Sequence, residues 1–342
     1  MFDQKHYVPI LKTKAGEIWS LRNLHPKWRP LVTPLLEIHP PSKKKDQPLK
    51  PMAEHVDDVS ESIRKCWGTT NPFFIDTEWL NRKHDPSHAL ATVLNACRVR
   101  GLKSIPVVKI GYDRDALDVV KAAIRRDGRG CMLRVDAEDV GAHSVIHRVV
   151  DYIALQKCEV HLLIDYRENS MSLAADVPNL PAIGEWMTFS AASSAFPKTV
   201  STLDPQTWID IPRNDWNAWE GSMVKDRLPR KPTFSDYGTR CPGPPPGGGD
   251  PLVHLRYTRS TKWMVYSDGT LQSGDADNMR SICRKLILLK DFDGREFSLG
   301  DNEINRIGNQ WKDKGGATQW LQWCLNHHLT FVARQIQSHA AL

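Results

Sequence analysis

The chain has 342 residues, 40% of them hydrophobic and 25% charged, which are ordinary proportions for a globular protein. Its formal net charge of +6 is mild and its acidic and basic residues are interspersed, so charge alone selects no class of partner. No segment approaches the roughly 18 consecutive apolar residues that span a membrane. The opening Met1-Phe2-Asp3-Gln4-Lys5-His6 has no apolar signal-peptide core, so no membrane role is expected and the cytosol is the expected compartment.

Short apolar runs alternate with helical stretches along the chain. Tyr7 to Leu11 reads as a first strand, followed by a short helix from Glu17 to Arg22. Val32 to Ile38 reads as a second strand, stopped by Pro40-Pro41. A lysine- and proline-rich loop over 40–53 then leads to a helix near 54–66, and its Lys43-Lys44-Lys45 run reads as a solvated segment rather than a DNA contact. Phe73 to Asp76 is a third strand. The helix after it has Asp85 as N-cap and Pro86 at its first position.

Ile105 to Ile110 follows as a fourth strand, then a helix over 113–126 broken by Asp127-Gly128. Cys131 to Val135 is the fifth strand, with a helix over 140–156 behind it. Val160 to Asp165, Glu185 to Ser190 and Thr233 to Asp236 complete a set of eight. Repeated strand-helix-strand units imply parallel strands joined by right-handed crossovers. An open doubly wound sheet would need a glycine-rich phosphate turn after the first strand, and none is present. The expected fold is therefore an α/β protein, a TIM-like (β/α)8 barrel that degenerates after Ser190 and carries a C-terminal hairpin and helices.

Residues 204–230 read as helical. The stretch Arg240 to Asp250 can form neither helix nor central strand, and its Gly247-Gly248-Gly249 run lacks the lysine and serine of a phosphate loop. Leu252 to Tyr257 and Trp263 to Tyr266 read as paired strands, and about 275–336 as helices. The expected division is a barrel body over 1–240, a Pro/Gly-rich loop over 241–251, and a hairpin with helices over 252–342 packed on the barrel.

In such a barrel, catalytic groups project from the C-terminal ends of the strands. Those ends carry Lys12 or Lys14, Glu37, Asp76, Lys109, Arg134, Asp165, Ser190 and Asp236 in turn. Alternation puts Asp76 on one face with Phe74 and Glu78, Asp165 with Leu163 and Arg167, and Arg134 with Met132 and Asp136. Carboxylates and cations that end apolar inward faces converge in a partly desolvated bowl, where each pairs or shifts its pKa. Glu37, Asp76, Asp165 and Asp236 are the candidate catalytic groups, as acid-base pairs or as oxygen ligands of a divalent metal. Lys12, Lys109, Arg134 and Ser190 are candidate substrate contacts, with Lys109 and Arg134 as a clamp for phosphate or carboxylate. The bland alternative is a structural ion network where strands exit to water.

Other features read more plainly. Seven cysteines are scattered without C-x-x-C spacing and read as reduced, buried thiols. His327-His328 point about 100 degrees apart on a helix and read as packed histidines rather than a zinc pair. Arg256 to Trp263 reads either as a nucleic-acid contact or as a plain hairpin. The Ser190 region lacks the G-x-S-x-G elbow of a serine hydrolase.

Several segments carry a family resemblance: His6 to Lys12 with Gly16-Glu17, Thr33 to Ile38, Ser190 to Pro197, Phe234 to Gly238, Arg256-Tyr257-Thr258 with Trp263, and Trp320 with Asn326 to Thr330. In this order they resemble the beta protein family of bacteria and phage-like mobile elements. The resemblance implies a link to anti-phage defence or mobile elements and a co-encoded defence protein as partner. It brings no catalytic residues with it. It adds Tyr237, Arg256 and Tyr257 to the candidate substrate contacts and supports Glu37 and Asp236.

Two functional readings follow. In the first, the bowl hydrolyses or binds a phosphorylated small molecule or nucleotide, as a hydrolase or phosphodiesterase. In the second, the barrel is a non-catalytic scaffold that binds nucleic acid or a partner protein. Nothing in the sequence selects an oligomeric state.

Overall fold

A computed structural model describes residues 2–41, 48–81, 86–198, 200, 207–225, 228–243, 252–270, 276–310 and 316–339. The Lys43-Lys44-Lys45 run, Asp85 and Gly247-Gly248-Gly249 lie outside the described residues.

Eight strands close a barrel: β1 (Tyr7–Lys12), β2 (Leu35–Glu37), β3 (Phe73–Asp76), β4 (Ser104–Lys109), β5 (Cys131–Asp136), β6 (Val160–Asp165), β7 (Thr188–Ser193) and, after an intervening β8 (Trp208–Pro212), β9 (Thr233–Asp236). Every barrel pairing is parallel, and β9 returns to β1 with Pro9 opposite Asp236. The expected (β/α)8 barrel is the observed fold.

The strands read as near-continuous apolar runs because both of their faces are buried. Val8, Ile10, Leu35, Phe74, Ile105, Val107, Met132, Leu163 and Ala192 point inward and fill the barrel with Tyr237. Their neighbours of opposite parity along each strand, among them Leu11, Leu36, Ile75, Val108, Leu133, Ile164 and Phe234, pack outward against the helices.

Those helices are α1 (Ala15–Arg22), α2 (Met52–Trp67), α3 (Glu78–Asn81), α4 (Pro86–Val99), α5 (Arg114–Asp127), α6 (His143–Ile153), α7 (Leu173–Asp176) and α8 (Asn214–Lys225). Helix α5 shows how locally they are specified. Asp113 caps it by accepting from the Ala116 N–H at 2.8 Å, and Gly128 ends it in the left-handed region at φ +64°.

Beyond the barrel, β10 (Leu252–Thr258) and β11 (Lys262–Thr270) form the expected hairpin, followed by α9 (Ala276–Ile287), α10 (Leu299–Asn309) and α11 (Ala317–His339). Helix α11 joins the two parts. Its Leu325, Leu329, Val332 and Ile336 belong to the main core, while Trp320, Trp323 and Cys324 pack with the hairpin and α9. Gly238, just past β9, permits this approach, because its φ is +64° and a Cβ there would meet Leu325 Cδ1 at 2.5 Å.

Three sequence expectations are corrected. Residues 208–212 are not helical: Trp208–Pro212 is a strand that pairs antiparallel with β11 and extends the hairpin to three strands. Its β-branched and aromatic residues, Trp208, Ile209 and Ile211, suit a pleated surface. The seventh barrel strand starts at Thr188 rather than Glu185, because Ile183–Glu185 is a short 3₁₀ turn and Trp186 donates Nε1 to the Pro181 carbonyl at 3.0 Å. The second strand is shorter than Val32 to Ile38, although Val32 still bridges to Tyr7.

The seven cysteines are all unpaired, but only five are buried; Cys158 is exposed and Cys241 half-buried. Among the described residues, no helix is long and apolar enough to cross a membrane.

Candidate active site at the barrel mouth

The inward faces of β1 to β6 each end in a charged group where the barrel opens. Glu37 sits beside Asp76 across the β2–β3 register, and Lys109 beside Arg134 across β4–β5. The side chains meet around Arg134, which is fully buried. Its Nε and Nη2 both donate to Asp165 Oδ2, at 2.9 and 2.6 Å. Its Nη1 donates to Glu37 Oε1 at 3.0 Å and to Asp76 Oδ2 at 2.6 Å. The remaining Nη2 proton goes to the Tyr237 hydroxyl at 2.7 Å, which itself donates to Asp165 Oδ2 at 2.7 Å. All five guanidinium N–H groups are therefore engaged.

A second tier covers this one. Arg167 Nη2 donates to both oxygens of Glu78, at 3.1 and 2.9 Å, and its Nε to Asp136 Oδ1 at 3.2 Å. Lys109 Nζ lies 3.2 Å from both Glu78 Oε1 and Asp136 Oδ2. These four side chains are 13–29% exposed, so solvent reaches the outer tier while the inner tier is dry. Arg167 holds a left-handed backbone at φ +56°, with its N–H on Asp165 Oδ1 at 2.9 Å and its carbonyl accepting from the Ser194 N–H at 2.7 Å. Strain of this kind in a non-glycine residue collects at functional sites.

The two carboxyls that share Arg134 Nη1 are pushed apart in acidity. Burial opposes the charge on Glu37, but Arg134 and the hydrogen bond to His39 overcome it and hold its carboxyl down at about 2. Burial raises the Asp76 carboxyl, and the like charges of Glu78 and Glu37 add to this against the pull of Arg134. Asp76 is thus the first of the pair to take up a proton. Arg134 itself stays charged because Tyr237, Asp165, Glu37 and Asp76 outweigh the effect of its burial.

Glu37, Asp76 and Glu78 place one oxygen each within 4.8 Å of one another, the hard donor set of a divalent cation. Arg134 Nη1 already lies 3.0, 2.6 and 3.8 Å from these three groups. The guanidinium stands where the cation would sit, and a metal would have to displace it.

The bowl gathers Glu37, Asp76, Lys109, Arg134, Asp165 and Tyr237. Ser190 lies deeper in the barrel, fully buried, with its hydroxyl unpartnered among the described residues. Lys12 is at the mouth on the β1 side, with Nζ 3.4 Å from the Cys241 carbonyl. The others lie elsewhere. Asp236 faces outward and accepts from the Tyr7 hydroxyl, Gly238 N–H and His328 Nε2. Tyr257 donates to Asp301 Oδ1 at 2.8 Å and stacks on His327. Arg256 stacks over Phe196 and donates to the Thr239 carbonyl at 2.6 Å. Glu78, Asp136 and Arg167 were absent from the sequence-derived site. The signal for them was the alternation itself, continued one step past each strand end.

The sequence matches the family model described as Beta protein over residues 7–334. The chain belongs to the Beta protein family. No curated protein matches the sequence of this beta protein. Among solved structures it is similar to a GH138 enzyme targeting pectin rhamnogalacturonan II, with a TM-score of 0.38 and 11% identity over 69% of this chain. The beta protein spans 34% of that enzyme's length.

The motifs that carry the beta protein resemblance converge in space. Tyr7, Asp236, Thr258 and His328 come from four of them and form one buried chain of hydrogen bonds between barrel and hairpin. His327 has an acceptor on each ring nitrogen, Asp301 Oδ2 and the Thr258 carbonyl, both at 2.9 Å. It is therefore held as imidazolium, its pKa raised by Asp301 despite burial. Thr258 donates its hydroxyl to His328 Nδ1, which leaves that ring neutral with Nε2–H on Asp236. Both histidines are packed in the structure, as their spacing suggested.

Proposed function

We propose that the protein is a hydrolase acting at its barrel mouth on a phosphorylated or nucleotide substrate, with Asp76 as proton donor and Glu37 as base. One observation carries the reading: two carboxyls in register on adjacent strands share one nitrogen of Arg134 yet are shifted in opposite directions. Paired groups whose environments separate their acidities are the usual division between acid and base. Water attacks the phosphorus and gives its proton to Glu37, while Asp76 protonates the departing oxygen. Arg134, itself held by Asp165 and Tyr237, fixes both carboxyls, and the Glu78–Arg167 tier limits water.

Buried ion networks are weak evidence for stability, since well-packed apolar groups serve as well or better. Three carboxylates around one arginine in a dry barrel, beneath a strained Arg167, fit a chemical role better. In the setting implied by the family resemblance, that role belongs to anti-phage defence, with a co-encoded protein as partner.

The test is a panel of chromogenic phosphomonoesters and phosphodiesters, with and without added divalent cations. Hydrolysis by the native chain that is lost in Asp76→Asn supports the reading. Equal rates in both proteins, or none in the native chain, overturns it. The scaffold reading draws on the full engagement of Arg134. It predicts no turnover, together with retention of a nucleic acid or a partner protein.

A further inference from the structure

The sequence assigned anion binding to Lys109 and Arg134, but both direct their donors to carboxylates. Uncommitted positive charge lies elsewhere on the rim, at the seam between β1 and β9. Lys12, the register partner of Glu37, is only 5% exposed. Among the described residues no carboxylate lies within ion-pair distance of it, and its Nζ has only the Cys241 carbonyl at 3.4 Å. Arg240 is half-exposed and holds Nε 3.6 Å from Glu17 Oε1. Arg256 gives Nη1 to the Thr239 carbonyl and Nη2 to His254, while its Nε is buried without a partner among the described residues.

These groups meet around the turn at residues 239–241, and Lys14 stands close to both Glu17 and Arg240. A cavity of about 10 Å³ is enclosed there by Lys12, Glu17, Tyr237, Thr239, Arg240 and Cys241. It has room for about one water-sized atom. The Thr239 hydroxyl, fully buried, lines it without a partner among the described residues. Among the described residues the carboxylates that face these cations are Glu17, whose two oxygens are buried without a hydrogen bond, and Glu37, which is already committed to Arg134, so the pocket holds an excess of positive charge in a place poor in water. Such charge is costly without a counter-ion. Burial together with Arg240 lowers the Lys12 pKa, the direction expected of a cation short of anions.

We propose that this pocket is an oxyanion subsite that takes a terminal phosphoryl oxygen of the ligand through Lys12, Arg240 and the Thr239 hydroxyl. Arg256 braces the turn from behind. The identity of the ligand as substrate rests on the hydrolase reading; the binding does not. The rest of the ligand lies on the far side of Cys241, where a polar cleft of about 260 Å³ is lined by Glu168, Ser193, Ser194, Lys198, Asn214 and Asp215. Ser193 and Ser194 donate their hydroxyl protons to the carbonyls of Asn169 and Arg240, at 2.7 and 3.0 Å. Their lone pairs are left to accept from ligand hydroxyl or amino groups.

The experiment is calorimetric titration of inorganic phosphate into the full chain, with acetate as the carboxylate control. The native protein binds phosphate in preference to acetate, and Lys12→Met and Arg240→Gln each weaken that binding about tenfold or more. Arg240 is half-exposed, so its variant decides the matter should Lys12→Met not fold. Unchanged affinity in Arg240→Gln, equal binding of acetate, or no binding by the native chain overturns the subsite. Phosphate binding without hydrolysis of any ester removes the hydrolase reading and leaves the subsite standing.

Discussion

The Tyr7 hydroxyl on the first barrel strand donates to Asp236 Oδ1 on the last at 2.5 Å, across the seam where the cylinder closes. Asp236 also takes the Gly238 N–H at 3.0 Å and His328 Nε2 at 2.9 Å, so one buried carboxylate ties β1, the turn after β9 and α11. Tyr7→Phe removes one of these donors and is expected to cost about 1–3 kcal/mol. Asp236→Ala strips the carboxylate from three donors and is expected to cost at least as much. Urea unfolding measures both; a Tyr7→Phe protein as stable as the native would break the seam argument.

Arg134→Met should be among the most damaging substitutions in the chain. It leaves Glu37, Asp76 and Asp165 in a dry interior without their shared cation, a loss of about 3–5 kcal/mol. Arg134→Lys should not rescue it, because one ammonium cannot reproduce the fork that reaches three carboxylates and Tyr237. Chemical denaturation of the two variants checks this, and a stable, native-like Arg134→Lys would contradict it.

At the opposite end of the barrel, Phe2 stacks on His6 and His161, which hydrogen-bond to Thr33 and Thr188. Burial holds both rings down at about 4, against 6.5 for a free histidine. Between these values the unfolded chain binds the extra protons. Stability is therefore whole above about pH 6.5 and falls as the pH drops toward 4, by about 3 kcal/mol per ring. His327 acts in the reverse sense, because its pKa is raised: its contribution is present at low pH and lost as the pH rises through that value. Unfolding followed from pH 7 to pH 4 should show the loss, reduced in His161→Phe. A flat profile in the native chain would refute the burial argument.

The acid-base assignment predicts a pH-rate profile. Activity should decline on the alkaline side, as Asp76 loses its proton, while Glu37 stays ionised down to about pH 2. Glu37→Gln and Asp76→Asn should each lower turnover by roughly 10²–10⁴-fold. Asp76→Asn should also remove the alkaline decline. Steady-state rates across pH test this, and a decline that persists in Asp76→Asn would assign the titration to another group.

Much of the bowl was legible because strand side chains alternate with a period of two. Glu37, Asp76, Arg134 and Asp165 share parity with the inward Leu35, Phe74, Met132 and Leu163, so each had to point into the barrel. Asp236 ends its strand on the opposite parity to Tyr237, and it turns outward for the same reason. Asp136 closes β5 on the inward parity, and Glu78 and Arg167 continue that parity one step beyond their strands, where loop geometry rather than pleat decides direction. Arg256 and Tyr257 had no such rule, because their position depends on how the hairpin docks onto α11.

The sequence by itself determined the barrel, the helix caps and which strand ends carry charge, because periodicity and capping act over a few neighbouring residues. Only the tertiary structure decided who pairs with whom. Arg134 and Glu37 are 97 positions apart, and Tyr7 and Asp236 are 229 apart. Whether a charged side chain is spent on a partner or left over for a ligand depends on distances across the closed cylinder, and no local pattern encodes them.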